Sequence, residues 1–388
     1  MRVLIAPDSF GGTLSAVEAA EAIAAGWRRT LPGADLVLRP LSDGGPGLVD
    51  VLASTLGGRQ LRLTVPDPLG RDVVASVLLV GDTAYVECAQ ACGLHLLSAE
   101  ERDPKAATSY GVGLMIAAAV EAGARTVVVG LGGSATNDGG AGMLTALGVI
   151  PRDAAGRVLP YGGAALCAVE HCDGVPLLRG ARLIAATDVD NPLVGPEGAS
   201  AVFGPQKGAT EDDIVLLDAA LERWAGVLER DLPGAPPGLA VLPGGGAAGG
   251  LGAALLALGA GRESGVDLVR RLVGLDDAVA QSRLVVTGEG SFDFQSLRGK
   301  LVTGVAAVAA EHGLPCLVLA GQVAVGRREM AAAGIEAAYA VADDAGSVEA
   351  AMAAPFDRLA DLAARVALRY RAESDTAGAP YRGETDAG

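Results

Sequence analysis

The chain has 388 residues, of which half are hydrophobic and 3% aromatic, and its formal net charge is −16. This length favours two domains, and the composition excludes general disorder; only residues 371–388, where hydrophobic periodicity is lost, are expected to form a flexible tail. No Lys/Arg cluster supports a nucleic-acid partner and no signal peptide or membrane-length apolar run occurs, so we expect a cytoplasmic protein without a membrane partner.

The N-terminal part of the chain predicts a β-α-β unit followed by antiparallel strands. Strands are predicted at 3–6 and 35–39, with a helix at 15–27 between them. That helix begins with the Ser-x-x-Glu spacing of a capping box. Short alternating apolar runs between 59 and 89 are typical of antiparallel strands.

Beyond residue 104 the pattern alternates between helices and strands. Strands are predicted at 126–131, 183–187, 283–287, 315–320 and 336–341, and helices at 110–122, 139–147, 211–228, 303–312 and 356–370. This alternation is typical of α/β folds with largely parallel sheets and helices on both faces.

The two ends of the chain share this β-α style, whereas the antiparallel stretch lies between them. We therefore expect two unlike α/β domains, one inserted into the other. The first would consist of 1–80 and 281–370, and the inserted domain of 81–280. The cleft between the two domains is the expected place of the active site.

The most informative stretch is the glycine-rich segment at 127–142. An apolar β-branched run, Val-Val-Val, passes into the loop Gly-Leu-Gly-Gly-Ser-Ala-Thr-Asn-Asp-Gly-Gly, and an apolar helical segment follows. A strand that ends in this way presents backbone N–H groups beside a helix N-terminus. That arrangement favours an anion, above all a phosphate.

Acidic residues recur just after the predicted strands and close to glycine. They are Asp8, Asp43, Asp138, Asp188, Asp190, Glu289 and Asp293. Because the carboxyl ends of parallel strands converge on the ligand crevice, we expect several of them to meet there. Carboxylates around an anion-binding loop favour Mg²⁺, which shares phosphate oxygens, although one of them could instead act as a general base.

Cations are scarce near such loops, which makes Lys207 and Lys300 candidates for binding a phosphate or a carboxylate. Each lies next to glycine in a loop that precedes a predicted helix. A solvated loop lysine is the alternative for each, and the residues themselves leave both interpretations open.

Other nucleotide- and metal-binding motifs are absent or incomplete. A Walker A pattern is missing. The Gly-x-Gly-x-x-Gly pattern at 244–249 lacks the second strand with an acidic end that a dinucleotide site needs, so it favours a nucleotide-phosphate loop or close helix packing. The five cysteines lack paired Cys-x₂-Cys spacing, and we expect free thiols rather than a metal site.

Taken together, these loops resemble the bacterial glycerate kinase type-1 family. The matching segments are Ala-Pro-Asp-Ser-Phe at 6–10, Leu-Ser-Ala at 14–16, Asp-Gly-Gly at 43–45, Thr-Ser-Tyr-Gly-Val-Gly at 108–113, the loop and helix start at 130–144, Asp-Val-Asp-Asn-Pro-Leu at 188–193, Phe-Gly-Pro-Gln-Lys-Gly-Ala at 203–209, Gly-Ala-Ala-Gly-Gly-Leu-Gly-Ala at 246–253, and Thr-Gly-Glu-Gly at 287–290 with the Gly-Lys pair at 299–300. The match follows the chain in order to about residue 370. The resemblance implies ATP- and Mg²⁺-dependent phosphorylation of D-glycerate, usually to 2-phosphoglycerate, by a protein of two unlike α/β domains.

The resemblance and the loop chemistry together assign the candidate site residues. Asp190 is the predicted general base, and Lys207 is the second predicted catalytic residue. The other candidates are Gly132, Gly133, Ser134, Thr136, Asn137, Gly244, Gly245 and Gly246 for ATP; Asp8, Ser9, Asp188, Asn191 and Lys300 for the substrate; and Asp43, Glu289 and Asp293 for Mg²⁺. Which carboxylate is the base, and whether the product is 2- or 3-phosphoglycerate, stays open.

Some positions depart from the family pattern. Gly11 stands where lysine is usual, and Pro46 and Leu48 stand where glutamate and threonine are usual. Ser291 and Phe292 replace the usual Arg-Ile pair. These departures leave open a kinase of a related small hydroxy acid, or a non-catalytic ligand-binding or regulatory protein on the same scaffold. The oligomeric state is also open, with a homodimer as one expectation.

Overall fold

The structure is a computed structural model that describes residues 1–298 and 301–377. It divides into two compact units. The terminal unit consists of Met1–Leu41 and the described residues from Gly274 onward, and the inserted unit is Ser42–Val273.

This division differs from the predicted domain boundaries at residues 80 and 280. The first boundary lies at residue 41 because the strands between 59 and 80 pair with the sheet of the inserted unit rather than with the N-terminal strands. Hydrogen bonding across a sheet decides which unit a strand joins, and the order of strands along the chain does not contain that information.

The secondary structure alternates in the way that the sequence predicts. The strands are β1 Arg2–Ile5, β2 Asp35–Leu38, β3 Arg59–Pro66, β4 Asp72–Val80, β5 Thr83–Glu87, β6 Thr126–Gly130, β7 Ile150–Arg152, β8 His171–Asp173, β9 Arg182–Ala186, β10 Gly261–Glu263, β11 Leu284–Phe292, β12 Cys316–Val323 and β13 Ala337–Ala340.

The α-helices range from one turn to six. They are α1 Ala16–Thr30, α2 Leu48–Leu56, α3 Ala89–Cys92, α4 Tyr110–Glu121, α5 Ala141–Ala146, α6 Ala199–Phe203, α7 Glu211–Asp231, α8 Leu251–Ala257, α9 Gly265–Leu272, α10 Leu275–Ala280, α11 Phe294–Arg298, α12 Leu301–Glu311, α13 Arg327–Ala332, α14 Val341–Ala345, α15 Val348–Ala353 and α16 Pro355–Ala377. Within residues 1–298 and 301–377, none of these helices combines the length and the apolar character that a membrane span requires.

The terminal unit contains a five-stranded parallel sheet in the order β13-β12-β11-β1-β2. Helix α1 begins at the predicted capping box, in which Ser15 and Glu18 bond each other's backbone N–H groups. It packs on α16, and Gly26 lies at the contact between the two helices. A Cβ atom at Gly26 would overlap the carbonyl oxygen of Ala360 and lie 2.8 Å from the Cβ of Ala363.

The inserted unit contains a six-stranded mixed sheet in the order β10-β9-β6-β5-β4-β3. The first four strands of this order are parallel, and β3, β4 and β5 form the antiparallel part that the sequence predicts. Large buried side chains from the helices fill the core, among them Met115, Ile116, Met143 and Trp224. The predicted α/β class with largely parallel sheets is confirmed.

The C-terminal end of the chain differs in part from the predicted flexible tail. Helix α16 continues through residues 371–377, so the helix is longer than predicted. Its apolar side chains Leu359, Leu362 and Val366 lie in the core of the terminal unit, which anchors the helix. Residues 378–388 lie outside the described residues.

Replacing Gly26 with alanine tests the contact between α1 and α16. Inside a helix this substitution normally stabilises by about 0.5–1 kcal/mol. At Gly26 we expect a loss of about 1–3 kcal/mol in the free energy of unfolding, because the added methyl group overpacks the contact. Gly226, an exposed glycine of α7 where an added Cβ atom would meet open space, is the matched control. Calorimetry should show that Gly26→Ala melts lower and Gly226→Ala higher than wild type; equal gains for both variants would contradict the close contact.

Candidate functional site

Four loops of the inserted unit meet at the carboxyl end of its parallel strands. They span 42–47, 131–140, 187–198 and 243–250. The second and third follow β6 and β9 directly. The other two contact them through the backbone: the N–H of Gly132 donates to the carbonyl of Gly44, and that of Gly246 to the carbonyl of Asn191. This is the edge at which open α/β sheets bind ligands.

Asp138 organises the loop between β6 and α5 from inside. Its carboxylate accepts hydrogen bonds from the backbone N–H groups of Ser109 (2.8 Å), Gly140 (3.0 Å) and Gly142 (3.1 Å), and from the Ser109 hydroxyl. Burial raises the pKa of Asp138, and these donors act in the opposite direction. Its role is to shape the loop, because four donors occupy a carboxylate that is fully enclosed.

The predicted helix N-terminus is covered rather than open. Helix α5 has six residues, begins at Ala141 and has Gly140 as its N-cap. A Cβ atom at Gly140 would overlap the Cβ of Ala254, and one at Gly139 would lie 2.5 Å from the Trp224 ring. The two glycines therefore permit close packing, and any anion must be bound by the loop itself rather than by the end of α5.

Only part of the predicted ATP-binding set reaches the surface of the inserted unit. Gly132 is half-buried and Gly133 is exposed. The other members of the set, Ser134, Thr136, Asn137, Gly244, Gly245 and Gly246, are buried. The sequence pattern did not distinguish residues that form the surface of a loop from residues that hold it in place.

Lys207 supports the glycine-rich loop from beneath. Its side chain is enclosed, with 2% of the residue exposed. The ammonium Nζ donates to the carbonyl oxygen of Thr136 at 2.7 Å and to Oγ of Ser134 at 3.1 Å. Burial lowers the pKa of Lys207 to about 8. The structure therefore shows Lys207 as a group that positions the loop, not as an exposed cation.

The one-turn helix α3 lies behind the same loop, with one cysteine, Cys88, just before it and another, Cys92, at its end. The carbonyl of Cys92 accepts from the N–H of Ala135 at 2.7 Å, and the thiol of Cys88 lies 3.6 Å from the carbonyl oxygen of Gly132. All five cysteines are free thiols. These two are part of the packing beneath the loop.

The loop after β9 carries the most exposed polar chemistry of this edge. Asp188 accepts from the hydroxyl of Ser264 at 2.6 Å and from the N–H of Val266 at 3.0 Å, which fixes it at the start of α9. Asp190 lies farther out, with 77% of its side chain exposed, and pairs with Nη1 of Arg262 at 2.5 Å. Asn191 donates to the backbone and so braces its own loop.

Arg262 is a functional candidate that the sequence analysis missed. It lies in the short strand β10, and its Nη1 is also 3.3 Å from the carbonyl oxygen of Val189. A Cβ atom at Gly244 would lie 2.6 Å from the Arg262 side chain, so this side chain rests on the glycine loop. No recognised motif contains Arg262, so sequence reasoning had no signal that would single it out.

The Gly-x-Gly-x-x-Gly pattern serves close packing. A Cβ atom at Gly246 would overlap the carbonyl oxygen of Pro192, and one at Gly249 would overlap that of Thr136. Both glycines thus bring the 243–250 loop into backbone contact with its two neighbours. This is one of the two alternatives that the sequence left open.

Asp43 and Pro46 lie on the loop that precedes α2. The Asp43 carboxylate accepts from the N–H of Gly45 at 2.8 Å and is otherwise exposed. Pro46, one of the departures from the family pattern, covers the exposed glycine of the neighbouring loop: a Cβ atom at Gly133 would lie 2.7 Å from the Pro46 ring. The inserted unit therefore brings Asp43 and its loop against the predicted phosphate-binding loop.

The terminal unit brings together a second set of the predicted residues. The N–H of Asp8 donates to the carbonyl of Gly288 at 2.8 Å, which joins the loop after β1 to the end of β11. The Asp8 carboxylate in turn accepts from the N–H of Ser9. The loop after β1 thus lies beside Glu289, the next residue of β11.

Glu289 has the least satisfied carboxylate of this set. Its Oε1 is buried without a hydrogen-bond partner among the described residues. Burial raises the pKa of Glu289, and the negative charge of Asp293 adds to the rise, while a hydrogen bond from Ser296 lowers it. Asp293 itself accepts from the N–H of Gln295 at 2.7 Å.

The predicted metal ligands are divided between the two units. Asp43 belongs to the inserted unit, whereas Glu289 and Asp293 belong to the terminal unit. Within residues 1–298 and 301–377, no group of three or more His, Cys, Asp or Glu side chains is arranged to hold a metal ion. Lys300, predicted to bind the substrate, lies outside the described residues.

Comparison with known proteins decides the family. The model of the glycerate kinase family matches residues 3–371. The chain belongs to the glycerate kinase family. It is 47% identical over 373 residues to an uncharacterized protein of Mycobacterium bovis, covering 95% of this chain and 91% of the relative. It is 42% identical to the glycerate 2-kinase of Escherichia coli, with 96% and 99% covered.

A solved structure gives the same result for the fold. The crystal structure of a protein described as glycerate kinase 2 from Salmonella typhimurium LT2 matches with a TM-score of 0.80 and 40% identity, covering 97% of this chain and 99% of that chain. The resemblance seen in the loops is thereby confirmed, as is the prediction of an ATP-dependent kinase of the glycerate kinase family.

The buried ammonium of Lys207 gives a test through the pH dependence of stability. Its ordinary pKa is 10.5, and in the folded chain it is about 8. Below pH 8 the lysine is protonated in both the folded and the unfolded chain. Burying its charge then lowers the free energy of unfolding by the full amount. Between pH 8 and 10.5 the lysine is neutral in the folded chain but still protonated in the unfolded chain. The free energy of unfolding therefore rises with pH by roughly 2–4 kcal/mol over this range.

Urea unfolding of wild type and Lys207→Met across pH 7–10.5 measures this contribution. It is the difference between the two proteins in how the free energy of unfolding changes with pH. Lys105 is the contrasting control, because its hydrogen-bonded ion pair with Asp213 raises its pKa, so its contribution to stability stays constant up to pH 10.5 and declines only above that pH. Identical pH profiles for wild type and Lys207→Met would show that the ammonium is not enclosed as described.

Proposed function

We propose that this chain transfers the γ-phosphoryl group of ATP to a hydroxyl of D-glycerate, with 2-phosphoglycerate as the product. The observation that carries the proposal is the edge of the inserted sheet, where the glycine-rich loop, two carboxylates and an arginine lie on neighbouring loops. The name of the Escherichia coli relative supports glycerate as the acceptor and the 2-hydroxyl as its reacting group.

Phosphoryl transfer relies mainly on positioning and on charge stabilisation. In the inserted unit, Gly132 and Gly133 offer backbone to a phosphate, with the Pro46 ring against one side of Gly133. The buried residues behind them, held by Lys207 and Asp138, keep that backbone in one shape. Arg262 is a partly exposed cation at this edge, and its planar guanidinium suits a phosphate or a substrate carboxylate.

A carboxylate of the 187–198 loop is proposed to take the proton from the reacting hydroxyl. Loop chemistry pointed to Asp190, but its carboxylate is largely exposed and is engaged in an ion pair with Arg262. Asp188 is held by two donors and sits directly after β9, which supports it as the better oriented base. Each carboxylate oxygen can accept more than one hydrogen bond, so these contacts are compatible with taking a proton.

Mg²⁺ fits the acidic residues of the terminal unit. The unpartnered buried oxygen of Glu289 is the kind of hard donor that this ion takes, and Asp293 adds a second carboxylate. One or two carboxylates with phosphate oxygens are usual for Mg²⁺ in kinases. When bound, the ion would offset the negative charge of the phosphates. Asp8 and Ser9, on the adjoining loop, remain candidates for the substrate.

A coupled assay of ADP release with Mg²⁺-ATP and D-glycerate tests the activity. We expect ADP release that depends on D-glycerate, and a phosphorus NMR spectrum that shows 2-phosphoglycerate. A panel of other small hydroxy acids run beside it tests the related-substrate alternative. Binding of ATP and D-glycerate without any turnover would support the non-catalytic alternative instead.

Matched substitutions test which carboxylate is the base. We expect Asp188→Asn to lower kcat by at least ~10²-fold, because general-base catalysis usually contributes that much. For Asp190→Asn we expect a loss of less than ~10-fold and no change in the pH profile of kcat. Melting temperatures should be measured for both, since Asp188 also fixes the start of α9. A loss of ~10²-fold in Asp190→Asn alone would return the role to Asp190.

A further inference from the structure

The terminal unit contains a cavity of about 250 Å³ that has no role in the proposed phosphoryl transfer as described so far. It lies at the carboxyl end of the unit's parallel strands, between the loop after β1, the ends of β11 and β12, and the helices α14, α15 and α16. Its apolar lining includes Phe10, Leu14, Val341, Ala351, Met352 and Leu359. The position is the ligand-binding edge of an open α/β sheet.

The cavity is electrically neutral. None of the described residues that line it carries a charge, and its polar side chains are Thr13, Ser291 and Gln322. In a chain with a net charge of −16, a phosphate or carboxylate placed here would meet no compensating cation among those lining residues. The lining therefore suits an uncharged part of a ligand.

Backbone forms one side of the cavity. Gly290 and Gly321 lie on adjacent strands, and a Cβ atom at Gly321 would overlap the carbonyl oxygen of Gly290. Phe10 is fixed beside them, with its ring 3.3 Å from a Cβ position at Gly288. The aromatic ring and the side-chain-free, partly buried backbone of these glycines form an apolar surface that a flat group can approach closely.

We propose that this cavity binds the adenine ring of ATP, an inference that rests on the kinase function proposed above. Adenine is flat, uncharged and apolar on both faces, and its edge carries donors and acceptors. Gln322 lies exposed at the cavity, and its amide can accept from the adenine amino group while donating to a ring nitrogen. Whole ligands usually occupy ~300–1,000 Å³, so a cavity of this size suits a ring rather than a complete nucleotide.

Filling the cavity tests the proposal in the full chain. Ala351 is buried and lines the cavity, whereas Ala353, on the same helix α15, is exposed and does not line it. We expect Ala351→Phe to raise the KM for ATP by at least ~10-fold, with the KM for D-glycerate and the kcat at saturating ATP within about twofold of wild type. Ala353→Phe should leave all three unchanged.

Two further measurements keep the test independent of the folding of that variant. Gln322→Ala should reduce the preference for ATP over GTP. Photolabelling with 8-azido-ATP should mark peptides of residues 341–359. Label on the 243–250 loop, or an unchanged KM for ATP in both Ala351→Phe and Gln322→Ala, would overturn the adenine site.

Direct binding separates this proposal from the proposed function. Calorimetric titration with adenosine should show binding to wild type and its loss in Ala351→Phe. Adenosine binding without any turnover of hydroxy acids would leave the adenine site standing and overturn the kinase function. Turnover of D-glycerate without adenosine binding would overturn the adenine site and leave the kinase function standing.

Discussion

Backbone-to-backbone contact at the carboxyl edge of the inserted sheet is the constraint on which the rest of this unit depends. Four loops approach so closely that a methyl group at Gly132, Gly246 or Gly249 would overlap a neighbouring main chain. Such contacts leave no room for side chains, and they hold the loops 42–47, 131–140, 187–198 and 243–250 together as one packed layer. The abundance of glycine in the chain is explained in part by this layer, which costs conformational entropy on folding and yields a fixed surface.

Two buried charges complete that layer, and each is compensated locally. Asp138 takes its hydrogen bonds from backbone donors, and Lys207 gives its own to a carbonyl and a hydroxyl. Buried charges remain tolerable only when they are paired or fully hydrogen-bonded. The chemistry directed outward includes the backbone at Gly132 and Gly133, the carboxylates of Asp43 and Asp188, and the pair of Asp190 with Arg262.

The sequence predicted the elements and their class well, because hydrophobic periodicity and capping residues act locally. It placed the boundary near residue 80 wrongly, since the strands from 59 to 80 join a sheet through hydrogen bonds with residues that follow them. It also named the right loops but not which residues face outward: Lys207 and Thr136 carry the residue types of a phosphate site and are enclosed. Burial depends on the packing of distant segments, and Arg262 was missed because its partner Asp190 lies 72 residues away.

The glycine layer also divides the chain into positions that can change and positions that cannot. A Cβ atom added at Gly11 would meet open space, and Pro46 and Ser291 are exposed. These are among the places where the chain departs from its family, while the enclosed glycines retain the family motif. Two other departures, Leu48 and Phe292, are fully buried, so the chain differs from its family inside each unit as well as at exposed loop positions, and an altered preference for a ligand could arise from either place.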